Sequence, residues 1–231
     1  MNRLDVLNLI IGRINAKKYL EIGVEKGKVF LKINVKKKLA VDPKLQIPNK
    51  KKILSCLKDY HNIFNEYYEM TSDNFFQSCD NRLRNLSGID LIFIDGLHAY
   101  EQSHRDVLNS LKHLNKKGFI VVHDCNPSTE SQANTECPTQ NAGEDKSRSF
   151  WCGDVWKTIV RLRAEQIDLN IFVLDCDFGI GVISKGKNEV LQNINEKEIS
   201  SLNYSDLDRN RQLLLNLKPP EYLDRFLHTF V

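Results

Sequence analysis

The 231-residue chain has no apolar run approaching the roughly 18 residues that a bilayer-spanning helix needs. It has no CxxC pair. Its six cysteines (Cys56, Cys79, Cys125, Cys137, Cys152 and Cys176) stand at irregular spacing, which excludes a zinc ribbon and a disulfide framework. Reduced thiols in a cytoplasmic protein are the expectation. Charge of one sign is scarce too: 33 Lys and Arg stand against 30 Asp and Glu, for a net charge of +3. That excess is too small to argue for nucleic acid. The basic runs Lys36–Lys38 and Lys50–Lys52 read as solvated faces, with a mild attraction to an anionic substrate or membrane surface left open. There are no internal repeats. The opening MNRLDVLNLIIGRIN lacks a small-residue cleavage site, and Asp5, Asn8 and Arg13 interrupt its apolar stretch. Residues 1–17 are expected to form an amphipathic helix with Leu4, Leu7, Ile11 and Ile14 on one side.

The most informative stretch is Ile89–Asn126. Two short apolar runs, Leu91–Ile94 and Phe119–Val122, are rich in β-branched or aromatic residues and too brief for helices. Between them Val107, Leu111 and Leu114 recur at helical spacing, and Gly118 ends the connection. This predicts a strand, a crossover helix over Tyr100–Leu114 and a parallel strand. Each strand stops at ionisable residues: Asp95 to His98 after the first, His123 to Asn126 after the second. Ligands of open α/β sheets bind at that edge.

Elsewhere, strands are expected at Lys18–Ile22, Leu39–Val41 and Ile63–Met70, with a short helix or turn at Val29–Val35. Helices are expected at Lys52–Tyr60, Asn74–Leu86 (begun by Ser72 or Asp73 as N-cap) and Trp151–Gln166. The pair Ile171–Leu174 and Gly181–Ile183 is joined too briefly for a crossover helix and should be antiparallel. Residues 127–149 contain almost no large apolar side chain and read as a lid loop, mobile without ligand. Residues 186–231 read as a polar, largely helical tail. The expected fold is α/β, a doubly wound, Rossmann-like, seven-stranded and mostly parallel sheet with one antiparallel strand, in a single domain over 1–231.

After the first strand comes Glu21-Ile22-Gly23-Val24-Glu25-Lys26-Gly27, whose glycines stand four apart, so the dinucleotide fingerprint GxGxxG is absent. Gly23 lets a ligand lie against the backbone. Asp42 ends the second strand 21 residues after Glu21, where a carboxylate of this fold class meets ribose hydroxyls. A nucleoside without a diphosphate fits this better than a nicotinamide dinucleotide. The acidic residue, the spaced glycines and the acidic end of the second strand together resemble the class I methyltransferases that use S-adenosylmethionine. The resemblance implies that Glu21 and Gly23 meet the methionine part and Asp42 the ribose. It places Asp73, beside Ser72, near the adenine, with Gly27 and Asp95 completing the cofactor set. Ser72 and Asp73 are equally N-cap candidates, and one residue can do both.

Asp95-Gly96-Leu97-His98-x-Tyr100-Glu101, followed later by His123-Asp124-Cys125-Asn126-Pro127, resembles one subgroup, the macrocin-type sugar O-methyltransferases. The likeness covers residues 18 to about 126 and is looser from Trp151 to Ile183. It implies a small-molecule or sugar hydroxyl as acceptor. A hydroxyl can be activated by a histidine base or by a divalent cation on its oxygen. His98, His123 and Asp124 are the candidate catalytic residues, with His98 preferred as base. Asp95 and Asp124 are candidate ligands of a magnesium ion, with Asn126 or the acceptor completing the oxygens. The subgroup often has a second acid or an amide after the aspartate, where this chain has Cys125, and the two histidines would suit a softer metal. Trp151 and Trp156 are candidates for the acceptor wall. Two other readings stand beside the enzyme: a non-catalytic S-adenosylmethionine-binding module and a nicotinamide-dependent oxidoreductase. The expected partner is a small-molecule acceptor, with no nucleic acid, no membrane span and a homo-oligomer left open.

Overall fold

In this computed structural model, residues 1–136, 151–187, 191 and 194–230 are described. In chain order the elements are α1 (Arg3–Ile14), β1 (Lys18–Ile22), β2 (Lys37–Asp42), α2 (Asn49–Lys58), β3 (Glu66–Glu69), α3 (Ser72–Ser78) and α4 (Asp80–Asn85). Then come β4 (Ile89–Ile94), α5 (Tyr100–His113), β5 (Leu114–Val122), α6 (Trp156–Glu165), β6 (Leu169–Leu174) and β7 (Ile180–Lys185). The chain closes with α7 (Glu196–Ser201), α8 (Tyr204–Leu215), β8 (Leu217–Lys218) and α9 (Tyr222–Phe230). The class is α/β, Rossmann-like and mostly parallel, as expected. Eight strands are described where seven were expected. The extra one, β8, has only two residues and leaves no periodic trace in the sequence.

The chain divides into two compact units: Met1–Gly96 with Asp106–Val121 and Asp224–Val231, and Leu97–Arg105 with Val122–Leu223. In the first, the strands lie in the order β3-β2-β1-β4-β5. β1 is parallel to β2 on one side and β4 on the other, with Leu20 beside both Leu39 and Ile92. The chain therefore runs outward from β1 to β3 and returns to the other side at β4. The gap between the carboxyl ends of β1 and β4 is a topological switch point. Continuous apolar runs such as Leu91–Ile94 follow from strands covered on both faces.

Several local expectations are corrected here. In α1 the buried face is Val6, Leu7 and Ile10, while Leu4, Ile11 and Ile14 are half-buried. This helix carries two overlapping apolar stripes, and burial rather than periodicity selects between them. Lys38 is wholly buried rather than solvated: its ammonium donates to the carbonyls of Phe30 (2.9 Å) and Ile33 (2.8 Å) around the 3-10 turn Phe30–Lys32. Tyr60–Phe64 is another 3-10 turn, so β3 begins only at Glu66. The helix expected at Asn74–Leu86 is broken at Cys79 into α3 and α4. The N-cap of α3 is Thr71, whose hydroxyl accepts from the Asn74 amide, so Ser72 and Asp73 are released from that role. α6 starts at Trp156, five residues later than expected, and β5 starts at Leu114, ahead of Gly118.

In the second unit the order is β7-β6-β8, with β6 antiparallel to β7, as the short connection requires, and parallel to β8. Its core combines Trp156, Ile159 and Leu162 of α6 with the apolar faces of β6 and β7 and with Leu207 and Leu215 of α8. Trp156 is therefore a core residue, not an acceptor wall.

Two glycines give opposite expectations. A Cβ on Gly23 (φ +88°) would stand 1.9 Å from the Asp95 carbonyl oxygen, whereas one on Gly12 in α1 would meet nothing within 4 Å. Urea unfolding should show Gly23→Ala destabilised by more than about 2 kcal/mol. Gly12→Ala should be stabilised by about 0.5–1 kcal/mol, the helix-propensity difference.

Candidate active site

The first unit gathers the cofactor candidates at its carboxyl edge. The Gly23 amide donates to Val41 and the Asp95 amide to Ile22, so the chain ends of β1, β2 and β4 are tied together where Gly23 leaves space. Gly27 (φ +66°) is crowded less severely, by the side chain of Ile47 rather than by backbone. Asp42 is buried at the end of β2, with one carboxylate oxygen accepting from the Glu25 amide (2.8 Å) and the other from the Lys44 amide (2.7 Å). Each oxygen keeps a second lone pair. Ser72 is buried and Asp73 lies in the first turn of α3, just past β3.

Glu21 sits deeper than a ligand-facing residue would: only 2% exposed, it accepts from the Tyr19 hydroxyl at 2.5 Å. Burial pushes its carboxyl up to about 8, Asp95 adds to the rise, and Tyr19 and Lys38 oppose it. Burial likewise pulls Lys38 down to about 8. At neutral pH Glu21 is therefore mostly uncharged.

Asp95 is not an open ligand. Arg3 reaches it from α1 with Nη1 2.7 Å from Oδ2. Nothing local in the sequence marks that pairing, because the partners are 92 residues apart.

The second unit gathers the candidate catalytic groups. Asp124 (φ +61°) is strained for a non-glycine residue. The β6–β7 turn holds this segment, with the amides of Cys125 and Asn126 donating to the carbonyls of Gly179 and Phe178. Two imidazoles meet the same Asp124 oxygen: His98 Nε2 at 3.2 Å and His123 Nδ1 at 2.9 Å. The other nitrogen of His123 lies 3.6 Å from Asp177. The other nitrogen of His98 is 2.6 Å from the Trp151 carbonyl, and a carbonyl only accepts, so Nδ1 carries hydrogen. The His98 ring also stacks on Trp151 at 4.9 Å. Gly153 (φ +63°) makes this approach feasible, since a Cβ there would fall 1.8 Å from the His98 carbonyl oxygen.

Asn126 is engaged at both ends: its amide nitrogen donates to Asp175, and its oxygen accepts from Arg211. Arg211 also donates to the Pro127 carbonyl, which ties α8 to the root of the following loop. Asp154 caps α5 by accepting from the Tyr100 amide at 2.7 Å. Arg3, Asp177, Arg211 and Asp154 carry no motif, and sequence reasoning missed all four. Burial pushes the Cys125 thiol up, which removes it as a nucleophile. Burial holds His104 down at about 4. Of the loop expected at 127–149, residues 137–149 lie outside the described residues. Its described stem is tied, with the Cys152 and Gly153 amides donating to Gln132 and the Trp151 indole to Asn134.

Residues 20–125 match the family described as a methyltransferase domain. Around this span the fold likeness extends further. A cofactor-bound protein from MTB is 13% identical with a TM-score of 0.56, covering 81% of this chain and 82% of that one. The O-methyltransferase TomG from Streptomyces achromogenes, in complex with SAM, is 11% identical with a TM-score of 0.54, covering 80% and 81%. The SAH-bound methyltransferase PaMTH1 of Podospora anserina is 19% identical with a TM-score of 0.52, covering 81% and 80%. No curated protein matches the chain. Within the matched residues, Glu21-x-Gly23-x-x-x-Gly27 and Asp42 stand at the switch-point edge.

Glu21 gives a testable pH dependence. Its folded pKa is raised above the ordinary carboxylate value of about 4.5, so its contribution is full below about 4.5 and is lost as pH rises through about 8. The melting temperature of wild type relative to Glu21→Gln should fall across that window. Parallel melting curves for the two proteins would refute the buried, protonated carboxyl.

Proposed function

We propose that this chain transfers a methyl group from S-adenosylmethionine to a hydroxyl oxygen of a small-molecule acceptor. The observation that carries this reading is the His98–Asp124 pair, with His98 held by the Trp151 carbonyl. A neutral imidazole whose Nδ1 bears hydrogen presents a lone pair at Nε2, and here that lone pair faces a carboxylate. One positive centre, a proton or a metal cation, resolves the repulsion. The pair is thus built to hold such a centre, which hydroxyl activation needs.

S-adenosylmethionine, when bound, supplies a methyl carbon on a positive sulfur, open to in-line attack by oxygen. The residues of the first unit fit that group: Gly23 lets the loop after β1 pass close to Asp95, and Asp42 retains a lone pair on each oxygen for the ribose hydroxyls. Ser72, Asp73, Gly27 and Asp95 complete the proposed cofactor set. Glu21 supports the loop from beneath, by its burial beside Tyr19.

A divalent cation would be held by His98 and Asp124, with Asp95 three residues before His98 in the chain, and would lower the pKa of an oxygen bound to it. A nitrogen donor in the set favours manganese, iron or zinc over magnesium. In the second form of the reading, His98 takes the acceptor proton itself and Asp124 stabilises the imidazolium. His123, between Asp124 and Asp177, positions Asp124 in either form. A sugar as acceptor rests on the macrocin-type resemblance of the Asp95–His98 and His123–Asp124 segments. The Streptomyces achromogenes neighbour, named an O-methyltransferase, supports oxygen as the acceptor atom.

Titration calorimetry with S-adenosylhomocysteine should show Asp42→Asn weakened about tenfold or more, the value of a charge-assisted hydrogen bond. Unchanged affinity, or tight NAD binding by wild type, would remove the cofactor assignment. Once an acceptor is in hand, turnover distinguishes the two forms. If the cation operates, a chelator abolishes it and added manganese restores it. If His98 operates alone, His98→Ala lowers it by about a hundredfold or more while the chelator has little effect.

A further inference from the structure

Among the described residues, ten large apolar side chains are exposed, and six of them fall within residues 53–64. They are Ile53, Leu54 and Leu57 on α2, and Tyr60, Ile63 and Phe64 on the 3-10 turn that follows, each between 46% and 79% exposed. The helix is amphipathic in the inverted sense. Its inward side is polar: Ser55 is its one buried residue, receiving a hydrogen bond from Asn62 on its carbonyl, and the Lys52 ammonium lies 4.2 Å from the centre of the Tyr67 ring. These contacts fix the helix with its apolar residues outward. A continuous exposed apolar surface of this kind on a chain is an interaction site by default.

The charge around the patch narrows the occupant. From Pro43 to Asn65 the chain carries Lys44, Lys50, Lys51, Lys52 and Lys58 against a single acid, Asp59. Asp59 is already engaged, accepting from the His61 amide at 3.0 Å with the His61 ring at 2.9 Å. A second copy related by a two-fold axis would set this basic patch against itself, lysine facing lysine. Aliphatic and aromatic side chains on an exposed helix and turn, flanked by lysines, have instead the composition of a segment that lies in a lipid interface. We propose that α2 and the turn Tyr60–Phe64 dock the protein on an anionic membrane surface. The apolar side chains enter the headgroup region while Lys50, Lys51 and Lys58 meet lipid phosphates. This surface is independent of the methyl-transfer reading and stands or falls without it.

The test is sedimentation of the full chain with vesicles of phosphatidylcholine alone and of equal parts phosphatidylcholine and phosphatidylglycerol. The expected result is binding to the anionic vesicles only, weakened by raised salt. Lys50→Glu with Lys51→Glu should reduce the partition about tenfold or more, given the attraction of each lysine near such a surface. Leu57→Asp with Ile63→Asp should reduce it comparably. Both pairs are exposed, so circular dichroism should report an unchanged fold. Three outcomes would overturn the proposal: no binding to anionic vesicles, binding that ignores both variant pairs, or a solution dimer that Leu57→Asp dissociates, which would make a second copy the occupant.

Discussion

The approach of Gly23 to the carbonyl of Asp95 constrains the whole carboxyl edge of the first unit. Two parallel strands of opposite winding direction end there, and the amide of Asp95 reaches back to Ile22 while the amide of Gly23 reaches to Val41. Any side chain at position 23 would push β1 and β4 apart and disturb the acid at each strand end. The space a Cβ would take at Gly23 is filled by the backbone of Asp95 and Gly96, so the glycine serves the close meeting of β1 and β4 at the switch point.

Carboxylates at these strand ends differ in how their charge is met. Asp42 is held by two backbone amides rather than by a cationic side chain. Asp95 is matched by a guanidinium from α1, an ion pair that a metal ligand at Asp95 would have to compete with. Asp124 is matched by two imidazoles, which meet the same carboxylate oxygen. Glu21 is held in the protonated form by its burial. Four acids close in sequence position to strand ends thus have four distinct electrostatic environments.

What could be read in the sequence was what depends on near neighbours. Leu91–Ile94 was legible because a buried parallel strand leaves an unbroken apolar run, and the antiparallel β6–β7 pair followed from the length of its connection. The helix break at Cys79 was not legible, since no proline or glycine marks it. β8 was too short to show a period. Lys38 looked like part of a solvated run because its partners are carbonyls, which no side-chain pattern reveals. Among the candidate residues, the meeting of His98, His123 and Asp124 was suggested by their place after two strands. Arg3, Asp177 and Arg211 reach their partners across long separations in the chain, and a single sequence carries no record of such meetings. The capping role passed to Thr71 because three adjacent polar residues compete for one helix start, and backbone geometry chooses among them.

The stem after Asp124 has a consequence for how this scaffold can change. Gln132 accepts from the amides of both Cys152 and Gly153, Trp151 reaches Asn134, and Arg211 holds the Pro127 carbonyl. The chain leaving at Glu136 and the chain returning at Trp151 are therefore clamped by bonds that lie outside the intervening segment. Closing a longer segment between fixed posts is cheap, about 0.6 kcal/mol for each doubling of length. Divergence in length can accumulate there while the posts, and the histidine that Trp151 holds, stay where they are. Such a position lets the chain between Glu136 and Trp151 change in length while His98 and the turn at Asp124 keep the partners described above.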